Sequence, residues 1–284
     1  MSEIKNGYEI MYNNIVAETT RYMEKADIKA LVLGLSGGID SALTAAIARK
    51  VCDTLGIKLV GLSMPILTNK PEEILCAEKV GNAFCDEFRV VDLSQAYHTM
   101  YSIVAPAEEL LDMSLGAKIR RGNIKARLRM ITLYDAAHRN KGLVLSTDNY
   151  SELMLGFWTI CGDVGDWGAI QQLWKTEVYG MAGWLAKKYA NNAAETHSEV
   201  AYNRSLALSM AIAAIPTDGL GVTNSDFDQL GVDSYEKIDK ILATYIATGE
   251  SAPECPVIRR HRDSQFKRDI PINIPREVII NGVL

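Results

Sequence analysis

Residues 31–41, Leu31-Val32-Leu33-Gly34-Leu35-Ser36-Gly37-Gly38-Ile39-Asp40-Ser41, constrain this chain more than any other stretch. The apolar run rich in Leu and Val predicts a buried parallel strand. It stops at a small polar turn with two adjacent glycines. Leu43, Ile47 and Val51 then fall on one face of a helix. Strand, glycine turn and helix start together present backbone N–H groups and a positive helix end to an anion. Ser36 and Ser41 add hydroxyl donors, and the glycines let a ligand approach the backbone with no Cβ in the way. Neither GxxxxGK[ST] nor GxGxxG is present here. The bland alternative is a strand-to-helix turn with Asp40 or Ser41 as a cap.

Around this stretch, short apolar strands alternate with longer helical segments. A helix over 7–25 leads into the first strand, and Gly56 is placed to end the helix after the loop. Strands follow at 58–64, 88–93 and 143–146. Helices are expected from Pro71, over 94–113 with a break at Pro106, and over 117–140. This order predicts an α/β fold with a doubly wound parallel sheet, whose ligands lie at the carboxyl ends of the strands, near Ser36 and Thr147. Beyond residue 150 the strand signal fades. Helices are expected at 175–189, 199–214 and 234–248, giving a helical C-terminal elaboration. Residues 251–284, with Pro253, Pro256, Pro271 and Pro275, read as an extended tail on a single 1–284 domain.

The formal net charge of −5 argues against nucleic acid as a partner. Five scattered cysteines without a CxxC pair suggest reduced thiols, and no opening segment reads as a signal peptide. No apolar run reaches the length of a membrane span. A cytoplasmic protein with no membrane partner is expected. The four histidines lack metal-ligand spacing.

Arg121, Lys125 and Arg129 form a basic stripe at i, i+4 and i+8, flanked by Arg120 and Arg127. Such a stripe alone is also what a solvated helix face looks like. Residues 36–41 resemble the SGGxDS pyrophosphate loop of the ATP pyrophosphatases. Gly122-Asn-Ile-Lys-Ala-Arg127-Leu-Arg-Met130, then Ser146-Thr147-Asp148 through Glu152, then Gly156 through Gly162-Asp163, resemble the motifs GN.KAR.RM, [GS]T[DS]..E and G[FY].T..GD of the ammonia-dependent NAD synthetases. The resemblance continues with 175–179, 216–220, 230–239 and 266–268, in the family order, from about residue 8 to 275.

The resemblance implies a Rossmann-like fold of the adenine nucleotide alpha hydrolase type. It implies ATP-dependent amidation of deamido-NAD (nicotinate adenine dinucleotide) with ammonia through an adenylated carboxylate, giving NAD+, AMP and pyrophosphate. ATP would lie against Gly34, Leu35, Ser36, Gly37, Gly38, Ile39, Asp40 and Ser41, with Met64, Thr147, Lys175 and Thr217. Asp40 and Glu152 would hold Mg²⁺, which suits that ion's habit of few protein carboxylates plus phosphate oxygens. Asp40, Lys175 and Asp163 would be the catalytic residues, with Lys175 neutralising the departing pyrophosphate. Arg127, Asp166, Phe266 and Lys267 would bind the dinucleotide. A homodimer is implied as well.

Residue by residue, other readings stay open: Thr147 and Glu152 as a capping box, Thr217 as a turn cap. The sequence also departs from the family. Ile160 stands where a lysine is frequent, 166–170 replaces the common DINP segment, Phe266 replaces a histidine, and 190–214 exceeds the usual linker. All of these fall on the acceptor side. They leave as the alternative another N-type ATP pyrophosphatase that amidates a different acceptor. A glutamine-using version would need a glutaminase region of its own, which 284 residues are too few to include, so free ammonia or a separate protein is expected to supply the nitrogen.

Overall fold

The Leu and Val run forms β1 (Ala30–Gly34), flanked by β2 (Lys58–Ser63) and β4 (Gly142–Val144), with β3 (Glu87–Val90) outside β2. This computed structural model describes residues 2–67, 69–106, 112–214, 232–250, 254–270 and 276–281. Among them the sheet has four strands in the order β3-β2-β1-β4, with every pairing parallel. Side-chain alternation along the strands sorts the core into two layers. Leu31, Leu33, Leu59 and Leu143 enter one layer, while Val32, Val60, Leu62 and Val144 enter the other.

The first layer is closed by α1 (Ser2–Lys25), α2 (Ile39–Leu55), α3 (Pro71–Phe84), α7 (Lys175–Thr196) and α8 (Glu199–Ala213). The second is closed by α5 (Leu115–Arg139), through Leu133, Ala136 and Ala137, with α4 (Ser94–Val104) against α5. Gly56 ends α2 in the left-handed region at φ 66°, as its place in the sequence predicts. The long 190–214 stretch completes the α7–α8 hairpin. Ala207, Leu208 and Ala211 seal the first layer over α3.

From β1 the chain moves outward to β2 and β3, then crosses back through α4 and α5 to β4 on the other side. The loops after β1 and β4 therefore leave the sheet in diverging directions and open a crevice at its carboxyl edge. Asp166 and Trp167 run along the free edge of β4. Asp166 N donates to Val144 O (2.8 Å), and Ser146 N donates to Trp167 O (2.9 Å). Unpaired backbone groups on that edge are thereby satisfied.

The expectation of an extended tail over 251–284 is corrected for the described residues 254–270 and 276–281, and the rest of that stretch lies outside the described residues. A third apolar cluster joins α6 (Tyr150–Leu155), α9 (Tyr235–Thr248) and α10 (Pro256–Asp263). The short helices α11 (Gln265–Arg268) and α12 (Arg276–Asn281) follow it. Pro256 sits at the first helical turn, where a missing N–H removes nothing, so here proline starts a helix. The helix over 94–113 ends at Val104. Among the described residues no helix is long and apolar enough to cross a membrane.

Val257 and Ile258 are fully buried against α6 and α9. Ile258→Ala is expected to cost about 2–5 kcal/mol in a urea melt, because the cavity it leaves lies inside a packed cluster. A surface tail would tolerate the change without measurable loss.

Candidate active site

The turn after β1 is shaped by its own hydroxyls. Ser36 Oγ accepts from Gly38 N (3.1 Å), and Ser41 Oγ donates to Gly38 O (3.0 Å) and lies 3.2 Å from Ser36 Oγ. Gly37 adopts φ +87°, and a Cβ there would lie 2.3 Å from Glu73 O on α3. Two separate constraints thus demand glycine: backbone conformation and the close approach of a neighbouring helix. Gly38 is the N-cap of α2 and makes no side-chain capping bond. The first N–H groups of α2 consequently face the crevice.

The loop after β4 brings the second wall. Asn149 Oδ1 accepts from Glu152 N (3.0 Å) and Glu152 Oε2 accepts from Asn149 N (3.3 Å), a reciprocal capping box that starts α6. Asn149 Nδ2 also donates to Asp40 Oδ1 (2.9 Å), which ties α6 to α2. The capping alternative for Glu152 is therefore correct in kind, with Asn149 rather than Thr147 as the partner. The capping box uses Glu152 Oε2, and Oε1 faces another way.

That oxygen faces Lys175. The ammonium of Lys175, at the start of α7, pairs with Asp40 Oδ2 and lies 3.2 Å from Glu152 Oε1. The Lys175 side chain is only 4% exposed, against 16% for Asp40 and 15% for Glu152. Burial opposes its charge, but the two carboxylates outweigh burial and hold its pKa well above the usual lysine value. The ring of Tyr235 lies 5.2 Å from the same ammonium. Nearby Asp148, buried and hydrogen-bonded by Ser146 Oγ (2.8 Å), is pushed well above the usual carboxylate range. Burial comes first among the causes, then the charges of Glu152 and Asp163.

Asp40, Asp148, Glu152 and Lys175 line one cavity of about 550 Å³. It brings together all eight residues 34–41, Met64, Thr147, Glu152, Asp163, Lys175 and Lys267. Asp163 accepts from Thr159 N, and Lys267 Nζ donates to Gly156 O (2.7 Å) and Trp158 O. Burial and then Arg260 lower the pKa of Lys267. Three expected residues stand outside the cavity wall. Arg127 is exposed and its guanidinium donates to Ile160 O (3.1 and 3.3 Å). Asp166 accepts from Tyr134 Oη (2.9 Å) and Val144 N (3.0 Å), and Phe266 is exposed. Thr217 lies outside the described residues.

Arg129, Asn123, Asn69 and Glu73 also line the cavity, although the sequence reading gave them no role. Arg129 donates to Met64 O (3.1 Å) and Asn69 Oδ1 (2.9 Å), and Asn123 Oδ1 accepts from Thr159 Oγ1 (2.9 Å). The signal for Arg129 was the 121/125/129 stripe. It turns out to face protein: Lys125 is buried and Arg121 donates to Asp112 O (2.7 Å).

Two carboxylates that converge on one buried ammonium form a donor set built to face positive charge. That arrangement fits a hard cation held with phosphate oxygens. Among the described residues no group of three or more His, Cys, Asp or Glu side chains is placed to hold a metal by itself.

Comparison with known proteins bears on the family and the fold. The profile of the family described as NAD synthase matches residues 11–271. The NH(3)-dependent NAD(+) synthetase of Syntrophomonas wolfei is 32% identical over 275 residues, spanning 93% of this chain and 94% of its own. Among solved structures, NMN synthetase from Francisella tularensis is similar with a TM-score of 0.72 at 23% identity, covering 94% of this chain and 98% of that one. NAD+ synthetase from Burkholderia pseudomallei gives a TM-score of 0.66 at 25% identity, with 93% and 91% covered. At that distance the Francisella likeness speaks for the fold alone.

Gly37→Ala tests the built turn. It should cost about 1–3 kcal/mol of stability from backbone strain. Mg·ATP affinity, read by calorimetry, should fall at least about tenfold as Glu73 or the turn gives way. Wild-type affinity in the variant would mean that the turn does not hold phosphate.

Proposed function

The chain belongs to the NAD synthase family, and from that membership we propose how its cavity performs ATP-dependent amidation of the nicotinate carboxylate of deamido-NAD with ammonia. One observation carries the reading: Asp40, Glu152 and Lys175, from three different helix starts, converge beside the glycine turn. A carboxylate is a poor electrophile and ATP is a polyanion, so the first task is to bring two anions together.

The N–H groups of the turn and of the first turn of α2, with the Ser36 and Ser41 hydroxyls, support binding of the β- and γ-phosphates. Asp40 and Glu152 would hold Mg²⁺, which when bound neutralises triphosphate charge. A carboxylate oxygen of the acceptor then attacks the α-phosphorus, and the bond to pyrophosphate breaks. Lys175 would neutralise charge on that leaving group, a role that suits a compact point charge. Ammonia attacks the acyl carbon of the mixed anhydride, AMP leaves, and a proton departs from the nitrogen. Asp163, accessible within the cavity and close to Lys267, is a suitable acceptor for an N–H of the incoming nucleophile. No nucleophilic side chain is needed, since positioning and charge compensation supply the catalysis.

A homodimer fits the surface. Ile103 near the end of α4 and Met113 just before α5 are 74% and 71% exposed, and the exposed Leu115 and Ile119 of α5 also line the cavity. Exposed apolar side chains on two packed helices, some of them at the cavity, suit a second copy of the chain better than water.

Incubated with Mg·ATP, ammonium and deamido-NAD, the protein should yield NAD+ and AMP in equal amounts; ADP as product would overturn the reading. Asp40→Asn should lower kcat/KM at least about tenfold to a hundredfold. Both this change and Asp40→Ala take one carboxylate from the buried ammonium, but asparagine is the milder because its amide oxygen can still accept from Lys175. Ile103→Glu combined with Met113→Glu should give a monomer by analytical ultracentrifugation, and an unchanged dimer would place the interface elsewhere.

A further inference from the structure

The segment 230–239 is a sequence motif to which the mechanism above assigns no task, and its last residue is buried. Asp239 lies on α9, one turn beyond Tyr235, and neither lines the cavity. Asp239 Oδ1 accepts from Ser151 Oγ and its Oδ2 accepts from Thr176 N (3.0 Å). Ser151 Oγ in turn accepts from Lys175 N (2.9 Å). One carboxylate therefore grips the residue before Glu152 and the residue after Lys175.

Capping alone does not explain a buried carboxylate here. The chain caps α5, α8 and α9 with the neutral side chains of Ser114, Ser198 and Ser234. A buried carboxylate carries a desolvation cost that those serines avoid. What Asp239 adds is reach: its two oxygens bind two separate helix starts at once, with the shared Ser151 hydroxyl between them. The same face of α9 sets the Tyr235 ring beside the Lys175 ammonium. The lysine is thus fixed at its backbone by Ser151 and its neighbour Thr176, and at its tip by Tyr235.

We propose that Asp239 is a positioning residue for the ATP half of the reaction, acting through Ser151 and Thr176 to hold Glu152 and Lys175 in register. The inference rests on the ATP-binding role proposed above for those two residues. Outer partners of this kind typically change metal affinity or activity by about 10–100-fold when removed.

The test uses the full-length protein at a temperature where circular dichroism shows every variant folded. Asp239→Ala should lower kcat/KM for Mg·ATP about 10–100-fold. The affinity of the protein for Mn·ATP, read from the Mn²⁺ electron paramagnetic resonance signal, should weaken by a similar factor, with the KM for ammonium unchanged. Asp239→Asn keeps an oxygen for Thr176 N and an amide for Ser151 Oγ, and should recover most of both losses. If Asp239→Ala does not fold, Ser151→Ala removes the shared hydroxyl while leaving the Thr176 bond, and should shift Mn·ATP affinity in the same direction. A folded variant that binds Mn·ATP and turns over like wild type would overturn the proposal, because a purely structural role moves the melting temperature and neither of these. Mn·ATP binding involves no acceptor. A wrong acceptor assignment would therefore show as wild-type protein that makes no NAD+, with the Asp239 effect on Mn·ATP intact.

Discussion

A buried ammonium held between two carboxylates is the interaction on which the rest of this molecule depends. Lys175 occupies the first turn of α7, where the helix dipole disfavours a cation. It is also buried, which disfavours charge of either sign. Both penalties are tolerated because Asp40 and Glu152 meet it. Each of these carboxylates stands in the first turn of its own helix, where the dipole favours an anion. Three helix starts thus converge on one point, and the local rule that is broken at Lys175 is offset by two that are obeyed. Violations of local preference in natural proteins concentrate at such sites.

The sheet explains why the convergence occurs where it does. With β1 central and the chain crossing over to β4, the loops after these two strands are neighbours in space though more than a hundred residues apart in sequence. α2 leaves β1 carrying Asp40, and α6 follows β4 carrying Glu152. The segment around 166–170 works as a cover for the free edge of β4. Asp166 and Trp167 give their backbone groups to Val144 and Ser146. None of residues 166–170 lines the cavity.

Much of this was legible in the sequence because the signals were local. The glycine turn, the strand before it and the helix after it fit one period each, and Gly56 and Pro71 marked the helix ends they occupy. What sequence could not decide was which face of α5 turns inward. Arg127 and Arg129 are two residues apart, about 200° around a helix. Arg129 lies on the basic stripe and Arg127 flanks it, and only packing against the strand ends selects Arg129. The 251–284 region failed for a different reason. Proline was read as a breaker, but Pro256 precedes Val257 and Ile258, whose burial against α6 and α9 rewards a helix too short for periodicity to reveal.

Glu152 shows why structural and functional readings of one residue need not compete. One oxygen closes the capping box with Asn149, and the other faces Lys175. α6 has only six residues and would not persist alone in water. Its order comes from Asn149 bonded to Asp40, from Ser151 bonded to Asp239, and from Leu155 buried against α9 and α10. The carboxylate that would face the metal is therefore presented by an element that exists only when the sheet side and the C-terminal helices both grip it. Formation of the fold and formation of the site are, at this point, the same event. A substitution in α9, outside the cavity wall, then reaches the chemistry by the same bonds that hold the C-terminal helices to the sheet.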